Sequence, residues 1–186
     1  MHKIQRQLYL DHHHIQRLLH CLNKEIDCYD FNSKRAADLA VILSALDYIV
    51  SYPDKWHHPT EDIIFGHLLD KDIKECPLIE QLRNEHKAIS LETDKLLDLF
   101  DMVANDCIVT ADELLGNTRH FISIQRQHVN KENEFVYPLL DKLFTTEEWK
   151  VIESKVNFQD DPLFQKPSKK SFEDLYQYII ALENAH

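Results

Sequence analysis

Two pairs of residues in the chain have the spacing and the chemistry of metal ligands. His57 and Glu61 are four residues apart, and so are His128 and Glu132. On an α-helix this offset places both side chains on one face, so that an imidazole nitrogen and a carboxylate oxygen can reach the same small volume. Each pair lies in an otherwise apolar helical stripe, where a charged glutamate is costly unless something compensates it. A metal ion is one such partner.

Two further histidines interrupt apolar stripes. His12 lies in a seam of period 3.5, and His86 lies in the stripe of a later helix. A single histidine in such a stripe is more often a hydrogen-bonded core residue, and a single His-x-x-x-Glu pair is more often a surface contact. Here four predicted helices each have a histidine in the apolar stripe, and two of these histidines are followed by a glutamate four residues later. Core hydrogen bonding and surface contacts do not readily explain this combination. We therefore predict a metal site formed by His12, His57, Glu61, His86, His128 and Glu132.

Long helices are needed to position these residues, and the sequence predicts an all-α, antiparallel up-down-up-down four-helix bundle over residues 1–156. Glycine occurs only 2 times in 186 residues, which disfavours an all-β fold. The first helix is expected over residues 3–28. The second is expected from about residue 34, with a kink or a restart near Pro53 and Pro59, because proline removes a helical hydrogen bond.

The third helix is expected over residues 78–104 and the fourth from a cap at Thr110, with an apolar stripe that continues through Phe135 and Leu139. Alternate helices of such a bundle run antiparallel, and the predicted ligands then lie at matching heights to within about a turn or two. A short fifth helix follows. Residues 157–186 are expected to form a linker and a C-terminal amphipathic helix, packed on the bundle or on a partner subunit in a homodimer.

The composition disfavours several classes of partner. The formal net charge is −11, from 21 Lys+Arg and 32 Asp+Glu. So acidic a chain is not expected to bind nucleic acid or an anionic membrane, and no apolar run reaches the length of about 18 residues that a membrane span needs. The four cysteines have no C-x-x-C spacing, so we expect reduced thiols and a cytoplasmic location.

The donor set also restricts the metal. Six nitrogen and oxygen ligands, two of them carboxylates able to bridge, suit two metal ions better than one. Histidine and carboxylate without thiolate favour iron, manganese or zinc. We expect two iron ions, because bridging carboxylates and spare coordination positions suit the chemistry of dioxygen and related oxidants, and zinc and manganese remain alternatives. His13 and His58 adjoin predicted ligands and are the best candidates for a supporting role.

The chain resembles a hemerythrin-like protein of the HHE cation-binding type over about residues 5–150. The motifs that carry the resemblance are Asp11-His12-x-x-Ile15, His57-His58-Pro59-x-Glu61-Asp62, Glu85-His86-x-x-Ile89 and His128-x-x-x-Glu132. The resemblance implies a four-helix bundle with a non-haem di-iron centre, bridged by carboxylates and an oxo or hydroxo group, and it implies the same six ligands. Oxygen-carrying hemerythrins have a second histidine in the third helix, where this chain has Ser90. Water or Gln125 could fill that position.

The resemblance also implies a function. We expect a di-iron protein that binds or reacts with a small oxidant, namely oxygen, peroxide or nitric oxide, in stress response or sensing. The alternative is a non-enzymatic iron or oxygen sensor that signals through its C-terminal helix to a partner. The sequence leaves open whether the protein is an enzyme.

Overall fold

The structure is a computed structural model that describes residues 1–30, 33–165 and 170–184. Its α-helices are α1 (Lys3–Ile26), α2 (Leu39–Ser51), α3 (His58–Leu69), α4 (Cys76–Ala104), α5 (Ala111–Lys131), α6 (Tyr137–Leu143), α7 (Thr146–Lys155) and α8 (Glu173–Asn184). Two π-helical segments, Pro53–His57 and Glu132–Val136, join α2 to α3 and α5 to α6. Short 3₁₀ turns lie at Asp27–Tyr29 and Lys170–Phe172.

Four long helical rods form the core of the molecule. The rods are α1, α2 continued by α3, α4, and α5 continued by α6. Each rod packs against two others: α1 contacts α2 and α5, whereas α4 contacts α2, α3 and α5. The helices therefore follow one another around the bundle in chain order, and the predicted all-α, hemerythrin-like four-helix bundle is confirmed.

The first rod shows how the apolar period positions a polar residue inside the bundle. Leu8, Ile15, Leu19 and Leu22 are buried along α1, and His12 is buried among them. Burying each aliphatic side chain stabilises the fold by about 1.5–3 kcal/mol. The apolar neighbours therefore hold the histidine inside the bundle at that height.

The second rod begins later than the sequence predicted. Its first helix starts at Leu39 rather than near residue 34, because Asp38 accepts hydrogen bonds from the backbone N–H groups of Ala40 and Val41, at 3.1 and 3.2 Å. The backbone N–H of Asp38 itself donates to the buried carboxylate of Glu25, at 2.7 Å. This contact with the end of α1 fixes where the second rod can begin.

The expected break in the second rod is a π-helical segment that ends at His57. Pro53 begins this segment, and Pro59 lies in the first turn of α3, where a missing N–H costs little. A π-helical turn accommodates an extra residue and changes the direction of the side chains that follow it. His57 and Glu61 both face the interior after this change.

A second π-helical segment, Glu132–Val136, was not predicted, and it corrects the expected stripe of the fourth rod. Phe135 is 47% exposed, whereas Val136, Tyr137 and Leu140 are buried. The prediction that the stripe continues through Phe135 and Leu139 was wrong, because the extra residue of the π turn moves the inward face by one position. The apolar period alone could not show this insertion.

Two described parts of the chain after α7 lie against the bundle, namely the region of Asp161 and the helix α8. Asp161 is buried, and α8 packs on α1 and α2 through a face that includes Leu175 and Ile179. The domain boundary at residues 156 and 157 stays a prediction. None of the helices in the described ranges combines the length and the apolarity needed to span a bilayer.

Candidate metal centre

The bundle brings the six predicted ligands together in one buried layer. Their exposed fractions lie between 0 and 4%. Glu61 lies between three histidines: its oxygens are 3.5 Å from His12 Nε2, 3.3 Å from His57 Nε2 and 3.4 Å from His86 Nε2. The oxygens of Glu132 lie 3.2, 3.2 and 3.1 Å from the Nε2 atoms of His12, His86 and His128. Each of the two acids is therefore in contact with imidazoles from three rods.

The donor atoms fall into two overlapping groups that could each hold a cation. His12, His57 and Glu61 form the first group, and Glu61, His86, His128 and Glu132 form the second. Within each group the donor atoms lie within 4.8 Å of one another. Because Glu61 belongs to both groups, its two oxygens can serve two neighbouring cation positions.

Buried atoms that make no regular hydrogen bond indicate that the donor set fits a metal. Among the described residues, Glu61 Oε2, Glu132 Oε2 and His128 Nε2 are buried and make no contact with hydrogen-bond geometry, although the ion-pair contacts given above bring other ligand atoms to 3.1–3.4 Å. Nearly all buried polar atoms in proteins have a hydrogen-bond partner. Here the lone pairs face a shared space, and a cation would satisfy them. Imidazole and carboxylate donors without thiolate favour iron, manganese or zinc.

The outer nitrogen of each histidine contacts a side chain from the neighbouring rod. The four contacts are His57 Nδ1 to Asp11 at 3.2 Å, His86 Nδ1 to Asp62 at 3.1 Å, His128 Nδ1 to Glu85 at 3.0 Å and His12 Nδ1 to Asn133 at 2.9 Å. Every acceptor is adjacent in sequence to a predicted ligand of its own rod. The four bonds therefore close a ring around the bundle.

This ring decides which nitrogen of each imidazole faces the centre. An acceptor at Nδ1 places the proton there and leaves the lone pair of Nε2 for a metal. The sequence-adjacent positions could have suggested these acceptors. Their partners could not be predicted, because each bond joins two different rods.

In the metal-free protein the centre holds protons. Burial alone would lower the pKa of His12, but the close contacts with the charged carboxylates of Glu132 and Glu61 outweigh it and raise the pKa to about 10. Burial and the charge of Glu132 would raise the pKa of Glu61, but His57, His12 and His86 hold it below its usual range. Imidazolium–carboxylate pairs therefore form without metal, and a metal ion must displace their protons.

Tyr137 is a site residue that the sequence prediction missed. Its hydroxyl donates to Glu61 and lies 3.2 Å from His12 Nε2, and its ring stacks on the His12 ring with centroids 5.0 Å apart. Burial, together with the charges of Glu61 and Glu132, raises the pKa of this phenol far above its usual value. The hydroxyl therefore stays protonated and can donate to the centre.

The two histidines expected to have a supporting role differ in position. His58 is buried, and its ring stacks on His86 with centroids 4.6 Å apart. Burial, together with the charges of His86 and His57, lowers the pKa of His58 to about 4, and Asp54 offsets this only in part. His13 is exposed. The neighbouring His14 is buried instead, and its Nδ1 lies 2.7 Å from Asp161 Oδ2.

The fold and the buried donor set define a cation-binding protein built on a four-helix bundle. The family model for the hemerythrin HHE cation-binding domain matches residues 3–140, which is well over half of the chain. The chain therefore belongs to the hemerythrin HHE cation-binding family. A comparison with curated protein sequences gave no match.

Proposed function

We propose that the centre holds two iron ions and reacts with a small oxidant such as dioxygen, peroxide or nitric oxide, in stress response or sensing. One observation carries the proposal: two fully buried carboxylates each lie between imidazoles from three rods, and one oxygen of each makes no contact with hydrogen-bond geometry among the described residues. Bound iron would supply electrons and open coordination positions for the oxidant.

The protein's own residues have distinct parts in this proposal. Glu61, Glu132 and the four histidines would hold the ions, the histidines through Nε2, which faces the carboxylates. Tyr137 donates a hydrogen bond to Glu61, and its raised pKa keeps this donor protonated. Because the layer is buried, bulk water does not compete with a small oxidant.

Metal analysis of the purified protein tests the proposal. The protein is loaded with Fe(II) without oxygen, passed through a desalting column and analysed for metal and protein. Two iron ions per chain and an optical spectrum that changes on addition of peroxide are expected. The proposal would be overturned if the protein retained at most one ion per chain, or if no oxidant tested changed the optical spectrum.

A matched pair of variants assigns the metal to this layer. His128→Ala removes a proposed ligand, whereas His120→Ala removes an exposed histidine of the same helix. Only the first is expected to lower the iron content. Continuous consumption of peroxide by the loaded wild-type protein would identify it as an enzyme.

A second candidate, a sensor that acts through the C-terminal region, is favoured by a buried polar network. Asp11 accepts hydrogen bonds from His57 Nδ1 and from the hydroxyl of Tyr52, at 3.2 and 3.3 Å. The donor atoms of Asp11, His14 and Asp161 lie within 4.8 Å of one another. The network thus leads from a predicted metal ligand to the segment after α7.

Asp161 attaches that segment to the bundle. Its Oδ2 accepts from Tyr48 at 3.1 Å, and its Oδ1 accepts from the backbone N–H groups of Leu163 and Phe164 at 2.9 and 3.0 Å. We expect metal removal to loosen this attachment by releasing His57. Limited proteolysis with and without a chelator tests the sensor: faster cleavage after residue 156 in the metal-free protein supports it, and equal cleavage excludes it.

A further inference from the structure

The ring of outer acceptors around the metal centre has one neutral member. Three of the four predicted histidine ligands have a carboxylate at Nδ1. His12 differs, because its Nδ1 lies 2.9 Å from the amide oxygen of Asn133. A carboxylate at this nitrogen makes an imidazole a stronger donor to a metal ion, and an amide lacks the charge. Among the described residues, His12 therefore has no negatively charged acceptor at Nδ1.

A polar cavity of about 310 Å³ lies beside this neutral acceptor, between α1 and the rod formed by α5 and α6. Its lining includes His12, His13 and Gln16 on one side and Arg126, Asn130 and Asn133 on the other. None of the described residues that line it is acidic, although the chain has 32 Asp+Glu. The cavity is thus a place in an acidic protein where an anion meets no carboxylate on the described lining.

Arg126 brings a positive charge to this cavity. Its side chain is half-buried, and within the ranges that the structure describes its guanidinium group forms no ion pair and no hydrogen bond. Two basic residues at other cavities differ, since Arg17 and Lys131 are paired with Glu183 and Glu85 at 2.6 and 2.5 Å. A guanidinium group with free N–H groups suits an anion that offers two acceptor oxygens.

The amide side chains of the cavity add neutral donors. Asn133 accepts from His12 through its oxygen, so that its NH₂ group is left as a donor. Gln16 and Asn130 carry further NH₂ groups, one on each side of the cavity. Donors from both rods can therefore surround an anion that is paired with Arg126.

We propose that this cavity binds a small inorganic oxyanion, which pairs with Arg126 and supplies the negative charge that His12 lacks at Nδ1. The inference goes beyond the proposed function, because binding of the anion does not require iron; only its effect on a metal ion rests on the metal centre. A negative charge beside His12 favours the metal-bound imidazole, so the anion and the metal ion strengthen each other's binding. Metal affinity at the position of His12 and His57 then depends on the anion.

Isothermal titration calorimetry with sodium sulfate, and in a second series with sodium nitrate, tests the binding. The protein is loaded with Zn(II), and each anion replaces chloride at constant ionic strength. Arg126→Gln removes the charge but keeps a polar side chain. The control Arg119→Gln changes an arginine of the same helix that is paired with Asp27.

We expect one anion per wild-type chain, an affinity at least about tenfold lower in Arg126→Gln, and the wild-type affinity in Arg119→Gln. The inference would be overturned if the wild type bound neither anion, or if Arg126→Gln bound them as tightly as the wild type.

Replacement of Asn133 by aspartate tests the link to His12. Asn133→Asp keeps the shape of the side chain and places a carboxylate next to His12 Nδ1. We expect this variant to bind sulfate at least about tenfold more weakly, because like charges repel each other.

Zn(II) affinity, measured by competition with a chromophoric chelator, is the second readout. In the wild type, sulfate should tighten the binding of one of the two ions about tenfold. Without sulfate, Asn133→Asp should hold that ion as tightly as the wild type does with sulfate. Sulfate binding that leaves both zinc affinities of the wild type unchanged would overturn the link to His12.

A crystal structure of the Zn(II)-loaded wild type with sodium selenate decides the question even if the variants do not fold. Selenate has the shape and charge of sulfate, and its selenium can be located by anomalous scattering. We expect selenate oxygens about 2.7–3.2 Å from the guanidinium nitrogens of Arg126. Selenate found only elsewhere would overturn the inference. Failure of the wild type to hold two iron ions, with sulfate binding intact, would instead overturn the proposed function alone.

Discussion

Replacement of Asp11 by asparagine tests how far the outer ring of acceptors supports the metal centre. Asp11 is fully buried and is the acceptor of three hydrogen bonds. Its Oδ2 accepts from His57 Nδ1 at 3.2 Å, and its Oδ1 accepts from Gln7 Nε2 at 2.8 Å and from Tyr52 at 3.3 Å. All three partners are donors, so the site needs an acceptor at both oxygens.

Asparagine keeps the shape but turns one acceptor into a donor. Its amide group must face either His57 or the pair of Gln7 and Tyr52, and in each orientation a buried donor loses its acceptor. The expected cost is about 1–3 kcal/mol, which corresponds to a fall in melting temperature of about 2–12 °C for a chain of this size. Loss of the carboxylate that orients His57 should also weaken metal binding about 10–100-fold, or about 1.4–2.7 kcal/mol.

Asp62→Asn is the matched control. Asp62 has the same relation to His86, but its side chain is 34% exposed, so that water can replace the lost acceptor. Metal affinity is measured by competition with a chelator and stability by thermal melting. We expect a clearly larger loss in Asp11→Asn for both. The argument from burial is refuted if Asp11→Asn matches the wild type or if Asp62→Asn has the larger effect.

Three further predictions concern the centre itself. His128→Ala should lower metal content and cost about 3–5 kcal/mol in stability, because Glu132 stays buried with less compensation; unchanged melting and unchanged metal content would contradict this. The metal-free protein should become less stable as the pH rises from 6.5 to about 10. These values are the usual pKa of histidine and the raised pKa of His12 in the folded protein. Over this range the stabilising, protonated form of His12 is progressively lost. Melting curves with chelator should show this fall, and the metal-loaded protein should show much less of it. Tyr137→Phe should cost about 1–3 kcal/mol, since Glu61 loses a buried donor, and it should shift the optical spectrum of the iron-loaded protein; an unchanged spectrum and an unchanged melting temperature would exclude an interaction of Tyr137 with the centre.

Much of the interior of the bundle could be predicted from the spacing of residues. The apolar seam of α1 predicted the burial of His12 together with Leu8 and Ile15, and all three are buried. A helix of period 3.6 that packs lengthwise leaves few alternatives for which face turns inward. The same reasoning predicted that His86 and His128 lie in the interior.

The predictions failed where a local interaction or an inserted residue outweighed that period. The second rod starts at Leu39 because Asp38 caps it and contacts Glu25 of another helix. The stripe of the fourth rod moves from Phe135 to Val136 because of a π turn. The Asp38 cap and the π turn leave the periodic pattern of apolar residues unchanged. That pattern could therefore predict neither the start of the second rod nor the shift of the stripe.

The sequence by itself determined that there are four long helical rods and that the six donors lie on inward faces, since these features depend on spacing along a single helix; the stripe beyond the π turn of the fourth rod was the exception. Only the tertiary structure decided which acceptor orients which imidazole, because each acceptor lies on a neighbouring rod. The same holds for His14 and Asp161, which are 147 positions apart in the chain and form a buried hydrogen bond. Contacts between helices depend on how the rods pack and rotate against one another, and no repeat within one helix specifies that rotation.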